Sequence, residues 1–169
     1  MILKIVKYPE PILSQPGEPV TEFNAELRKL VADMFETTYA SQGVGLAAPQ
    51  VDVSRRVTVI DLSVGKVPKD RLVLINPEII FQEGKQYEDE GCLSFPDIRE
   101  KVVRAAKVRI RAQDERGKWF EMDGGELLSR CIQHEIDHLD GMLFIFRMSA
   151  LKRDINLRKI RKMQREGKW

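Results

Sequence analysis

The sequence predicts an α+β fold: one compact domain of mostly antiparallel strands packed around a central helix, with a further helix at the C-terminal end. Three observations predict it. Asn24–Tyr39 and Gly125–Leu139 carry apolar residues at helical spacing. Between them lie short segments rich in Val, Ile and Leu, each too brief for a helix. Helices and strands are grouped instead of alternating, which points away from a wound βαβ arrangement. A chain of 169 residues needs no more than one hydrophobic core.

Each element follows in order. Tyr8–Val20 holds Pro9, Pro11, Pro16 and Pro19, so it is predicted to run extended across the surface. A helix is predicted from Asn24, a residue suited to N-capping, because Leu27, Leu30, Val31, Met34, Phe35 and Tyr39 form one stripe. Gly43-Val44-Gly45 ends it. Strands are predicted at Arg56–Leu62, Leu72–Ile75 and Lys107–Ala112. Asp114–Gly117 reads as a hairpin turn before a strand at Lys118–Met122. The helical pattern returns from Gly125 to Leu139, with Gly141 as its stop, and a last helix is predicted from about Ser149. The organisation is a body, residues 1–150, followed by a basic helical tail, residues 151–169.

Composition excludes several classes. Apolar residues make up 43% and charged residues 32%, ordinary values for a globular protein. No apolar run approaches the roughly 18 residues of a membrane span. Met1–Lys7 is too short and too charged for a secretory signal, so a cytoplasmic protein without membrane contact is expected. In that setting Cys92 and Cys131 are expected as a thiol ligand or buried thiols in preference to a disulfide. Charge is uneven: residues 151–169 hold eight Lys and Arg against two acids, leaving residues 1–150 mildly acidic. Only the tail points to an anionic partner.

The strongest local signal is His134-Glu135-Ile136-Asp137-His138. Residues four apart on a helix lie one turn above each other, so both histidines can direct a ring nitrogen at one metal ion. Glu135 lies about 100° around the helix from His134, within reach of a water on that ion. Two ligands are too few for a catalytic metal, and the chain has no third histidine. The remaining soft donors are Cys131, one turn before His134, and Cys92, in Glu90-Gly91-Cys92-Leu93-Ser94 where a strand is expected to become a turn. Three ligands in a row along one helix would be strained, which favours Cys92. On spacing alone, Cys92 as a small buried residue stays open. Gly43–Gln50 adds a loop of small residues ending in an amide, and it lacks the lysine and hydroxyl of a phosphate loop.

Together these segments resemble the peptide deformylase family, whose three signatures are matched by GVGLAAPQ (43–50), EGCLS (90–94) and QHEIDH (133–138). The flanking Tyr8-Pro9 and Leu74-Ile75-Asn76-Pro77 are similar too, and the resemblance covers about residues 2–150. It implies that Cys92, His134 and His138 bind a metal, natively Fe²⁺, with Zn²⁺ or Ni²⁺ able to substitute. It also implies removal of the formyl group from the N-terminal formylmethionine of nascent polypeptides. A metal-activated water attacks the formyl carbon, and Glu135 takes its proton and passes it to the departing amine. The Gln50 side-chain amide and the Leu93 backbone N–H are the expected donors to the oxyanion. Val44, Leu127 and Cys131 are the expected wall of a methionine cleft. Val44–Gly45 and Gly91 are expected to pair with the substrate backbone, glycine leaving room for its approach. Arg130 departs from relatives in which that position near the pocket is often apolar, so it is expected at the rim.

In the tail, Leu157, Ile160 and Met163 share one side of a helix, opposite Arg158, Arg161, Lys162 and Arg165. The resemblance favours contact between this basic side and the ribosome. HExxH by itself also suits a small metalloendopeptidase, and the tail suits an RNA-binding module with a structural metal. A base beside the ligands, which a closed structural site does not need, argues against that module.

Overall fold

The computed structural model describes all residues from Met1 to Trp169. Its helices are α1 (Ala25–Ala40), α2 (Glu126–Leu139) and α3 (Ala150–Arg165). Its strands are β1 (Gly45–Ala47), β2 (Val57–Ile60), β3 (Leu72–Glu83), β4 (Gln86–Cys92), β5 (Phe95–Arg104), β6 (Lys107–Gln113) and β7 (Trp119–Gly125). A five-stranded antiparallel sheet runs β1-β2-β3-β6-β7, and β4 and β5 form a separate antiparallel pair. This is the expected α+β arrangement. No helix is long and apolar enough to cross a membrane.

Strand β2 is buried on both faces of the five-stranded sheet, whereas β6 buries one face only, by the period of two along the strand. Val57, Val59 and Ile75 pack with Leu27, Val31, Met34 and Phe35 of α1. Ile60, Leu74, Val108 and Ile110 face the other way and pack with Cys131, Ile132 and Ile136 of α2. Helix α2 is therefore central, and every residue from Ser129 to Leu139 is buried. A third cluster joins β5 to the C-terminal region through Phe95, Ile98, Val102, Phe144, Ile145 and Ile160.

The end signals explain where elements start and stop. The Asn24 side chain accepts from the Leu27 N–H at 3.0 Å, capping α1. After α2 the chain turns at Gly141, φ +77°, where a Cβ would lie 2.9 Å from backbone atoms of Ser14 and Gln15; only glycine fits. The Ser149 hydroxyl accepts from the Lys152 N–H and caps α3. At Asp114–Gly117 the predicted hairpin turn forms, closed by the Asp114 N–H donating to Lys118 O at 2.9 Å.

Three features differ from the sequence reading. The segment after α1 holds a short strand, β1, where a loop was expected. Strand β3 runs on to Glu83, past a bulge at Asn76-Pro77 in which the Asn76 side chain clamps both the N–H and C=O of Val20. A strand was expected to end near Cys92, but its extent and its pairing with β5 were not predicted, because β4 is rich in charge and carries no apolar alternation. The tail is docked: Ile160 is buried, and the Trp169 indole N–H donates to Tyr8 O at 2.6 Å.

Candidate metal centre

Helix α2 presents His134, Glu135 and His138, all buried. Strand β4 approaches from the side, and its alternation places Glu90 and Cys92 on one face. The register of the β4–β5 pair breaks after Gly91, and Leu93-Ser94 form the turn that sets Cys92 against α2. One donor atom each from Cys92, His134 and His138 come within 4.8 Å of one another, a group that could hold a metal ion. Cys92 Sγ lies 3.3 Å from His138 Nε2, near the roughly 3.5 Å that a thiolate and an imidazole would keep around one tetrahedral ion. The donor set therefore fits a transition metal. Cys131 instead packs with Ile132 and Ile136 against the sheet, and burial pushes its thiol up to about 12, with Glu135 and Glu90 adding to the shift.

His134 is oriented from behind. Its Nδ1 lies 2.6 Å from Glu90 Oε2; with Nδ1–H donating to the carboxylate, Nε2 is left as the free lone pair. Glu90 also accepts from Arg104 through Nε (3.0 Å) and Nη2 (2.6 Å) and from Arg130 Nη1 (2.7 Å). Burial alone would raise the Glu90 carboxyl, but hydrogen bonds from His134 and Arg104 hold it well below the usual carboxylate range. Burial likewise works against charge on His134, but hydrogen bonds to Cys92 and Glu90 outweigh it and raise its pKa, so a metal ion reaches that lone pair by displacing the Nε2 proton. His138 is pushed down by burial and then by His134 and Arg104.

Glu135 has the environment of a proton carrier. One of its carboxylate oxygens, Oε1, is buried without a hydrogen-bond partner. Burial lifts its pKa to about 7; His134 and Arg104 oppose the shift and Glu90 adds to it. Gln50 is buried, with Oε1 accepting from Ala47 N–H at 2.9 Å. That bond turns its amide nitrogen toward Ser94 Oγ (3.1 Å) and Cys92 Sγ (3.6 Å). The Leu93 N–H makes no hydrogen bond within the chain.

The other predicted residues fall in two groups. Val44 and Cys131 join the cluster beneath the site, whereas Leu127 is half exposed on the first turn of α2. At Gly45 the space left by the missing side chain is filled from within the protein by the Glu135 carboxylate. At Gly91 the corresponding space faces the Arg99 guanidinium, 2.8 Å away. The room expected there for a substrate backbone is thus partly taken. Arg130 is not at a rim: it is 3% exposed, donating to Glu90, Gln86 Oε1 and Val102 O. A guanidinium is tolerated there because each of its three nitrogens meets an acceptor.

Glu90, Ser94, Arg104 and Asp137 were given no role by sequence reasoning. The period of two that pairs Glu90 with Cys92 was the signal available for the first. Asp137 stands inside the QHEIDH signature, which was the signal available for it, whereas Arg104 joins the site only through contacts across the fold, which no local pattern announces.

Comparison with known proteins identifies the family. The family model described as polypeptide deformylase matches residues 2–154. A peptide deformylase of Acidobacterium capsulatum is 70% identical over 169 residues, covering 100% of this chain and 99% of that one. The crystal structure of a peptide deformylase from Legionella pneumophila is similar with a TM-score of 0.92 and 46% identity, covering 99% of this chain and 98% of that one. A peptide deformylase from Plasmodium falciparum gives a TM-score of 0.91 at 39% identity, with 96% of each chain covered. The matched stretch takes in the glycine loop, the Cys92 turn and the histidine helix, and the chain belongs to the polypeptide deformylase family.

Proposed function

We propose that Cys92, His134 and His138 hold a divalent transition metal and that the site removes the formyl group from N-formylmethionyl nascent peptides, releasing formate. The observation that carries the reading is the convergence of these three donors beside a buried carboxylate oxygen of Glu135 that has no partner. A closed structural site would have no use for that oxygen. When bound, such an ion lowers the pKa of a coordinated water and polarises the formyl oxygen. Fe²⁺ is the ion that the family resemblance implies, with Zn²⁺ or Ni²⁺ able to replace it; imidazole ligands suit all three.

The chain's own groups supply the rest. Glu135, with a pKa near neutrality, accepts the proton of the attacking water and delivers it to the departing amine. The Gln50 amide and the Leu93 N–H are donors already in place for the charge that develops on the formyl oxygen. Val44, Leu127 and Cys131 form the wall of the methionine cleft, with Leu127 at its open end. An extended substrate docks along β1, an edge strand. The Asp61 N–H donates to Val44 O, which makes Gly45 and Ile60 a non-hydrogen-bonded pair. The N–H and C=O of Gly45 therefore point to the open edge, and Gly91 borders the same groove. The exposed Arg158, Arg161, Lys162 and Arg165 of α3 contact the ribosome.

The deciding experiment is anaerobic formate release from a short formyl-Met peptide, using protein purified with iron or nickel, with and without a chelator. Metal-dependent formate release with the peptide chain left whole is expected. Cleavage of an internal peptide bond, or a folded metal-loaded protein that releases no formate, overturns the reading.

A further inference from the structure

The bonds that orient His134 do not stop at Glu90. Arg104, which grips Glu90 through two nitrogens, extends its third, Nη1, to Asp137 Oδ2 at 2.6 Å. Asp137 in turn is held by Arg147 in a fork, Nη2 to Oδ1 at 2.9 Å and Nε to Oδ2 at 3.1 Å. Side-chain exposure falls along this line, from 45% at Arg147 through 12% at Asp137 to 3% at Arg104. Arg147 belongs to a single 3-10 turn, Phe144–Arg147, whose Phe144 ring packs against the His134 ring with centroids 5.7 Å apart. One short turn thus touches the ring directly and also holds the far end of its hydrogen-bonded support. Arg104, Asp137 and Arg147 line a polar cleft of about 490 Å³ that contains none of the three candidate ligands.

We infer that Arg147 is a positioning residue for His134, acting through Asp137, Arg104 and Glu90; the inference rests on the metal centre proposed above. Each guanidinium in the line is planar and binds its carboxylate at two points, so it transmits orientation as well as charge. Without Arg147, Asp137 keeps Arg104 as its one side-chain partner and its Oδ1 is free to rotate away. Arg104 then loses a fixed third contact, and the plane of Glu90 is set less firmly. The His134 ring, whose lone pair must meet the ion within a few tenths of an ångström, is the last to feel it. The competing view is that Arg147 makes an ordinary half-exposed ion pair with little effect on anything.

Co²⁺ titration of the metal-free protein separates the two. The thiolate-to-cobalt and d–d absorption bands report the geometry, and competition with a chelator gives the affinity. Changing a residue that supports a metal ligand typically weakens binding 10–100-fold. For Arg147→Met, four links from the ring, a loss of roughly three- to tenfold is expected, with a larger loss for Asp137→Asn. Arg147→Lys, which offers a point charge in place of a fork, should fall between wild type and Met. It carries the test if the Met variant does not fold. Arg109→Met, which breaks the exposed pair with Asp123, should bind as wild type does. In formate release, kcat should fall for Arg147→Met with KM unchanged, since the residue lies outside the substrate groove. Wild-type affinity and bands in the Arg147 variants, whatever their thermal stability, overturn the inference. A wild-type protein that binds no Co²⁺ overturns the proposed centre and the inference with it.

Discussion

A Cβ placed on Gly45 would lie 2.7 Å from Oε2 of Glu135 and 3.3 Å from its carboxyl carbon. Strand β1 and helix α2 are packed so closely that the carboxylate rests against bare backbone. Gly45→Ala must therefore displace Glu135. The expected effect is on kcat, on the order of 10²-fold if the carboxylate moves by about 1 Å, with metal content retained. Steady-state kinetics distinguish this from a substrate-docking effect, which would raise KM and leave kcat alone.

Glu135→Gln removes the proposed proton carrier while keeping its volume. Turnover is expected to fall by roughly 10²–10⁴-fold, the usual contribution of a general base. Metal content should not change, because Glu135 is not among the three convergent donors. The buried carboxylate oxygen without a partner is a strained feature, so the thermal midpoint should hold or rise. Near wild-type turnover would remove Glu135 from the mechanism.

Glu90→Gln leaves two buried guanidiniums, Arg104 and Arg130, without their shared carboxylate. Breaking a buried pair in this way costs roughly 3–5 kcal/mol. Because glutamine offers one acceptor oxygen where Glu90 uses two, His134 and the arginines compete for it, and metal affinity should drop about 10–100-fold. Denaturant unfolding and chelator competition check the two effects separately. A variant that unfolds like wild type would show that the charges are compensated elsewhere.

Acid should loosen the turn after β2. Burial works to raise the Asp61 carboxyl, but hydrogen bonds from the Ser63 and Tyr39 side chains and from the Ser63 and Gly65 backbone hold it below its ordinary value. Burial and the bond to Asp61 push the Tyr39 hydroxyl up to about 12. With the folded pKa below the unfolded one, the unfolded state binds more protons in the window between them, so stability rises with pH there. The contribution is complete above the ordinary carboxylate range and is lost as pH falls through the depressed value. Asp61→Asn should lower the midpoint at pH 6 and flatten this acid limb. An acid limb identical to wild type would place the titrating groups elsewhere.

Packing against the body and the proposed ribosome contact of the C-terminal helix are separated by different variants. Ile160→Ala should destabilise the body by roughly 2–5 kcal/mol, because Ile160 is 1% exposed and packs in the cluster with Phe95 and Phe144. Replacing the exposed Arg158, Arg161, Lys162 and Arg165 with Ala should leave stability and peptide turnover nearly unchanged. It should weaken binding to ribosomes and flatten its salt dependence. Salt-titrated co-sedimentation reads this out, and unchanged binding would return the basic face to plain solvation.

The sequence by itself determined the parts whose geometry is local. The helix carrying His134, Glu135 and His138 follows from a spacing of four and a glycine stop, and the cap at Asn24 from its side chain. The hairpin at Asp114–Gly117 follows from its turn residues. The spacing already favoured Cys92 over Cys131 beside the histidines, and tertiary structure supplied the reason: Cys131 shares their helix yet packs into the sheet, while Cys92 arrives from a strand 42 residues before His134. Only tertiary structure decided that Gly45 makes room for Glu135, that Arg130 lies inside the fold, and that Arg104 and Asp137 stand behind the site. Backbone periodicity fixes which side chains share a face of one element. Which elements then face each other is settled by burying three apolar clusters at once, a property of the whole chain that no window of sequence contains.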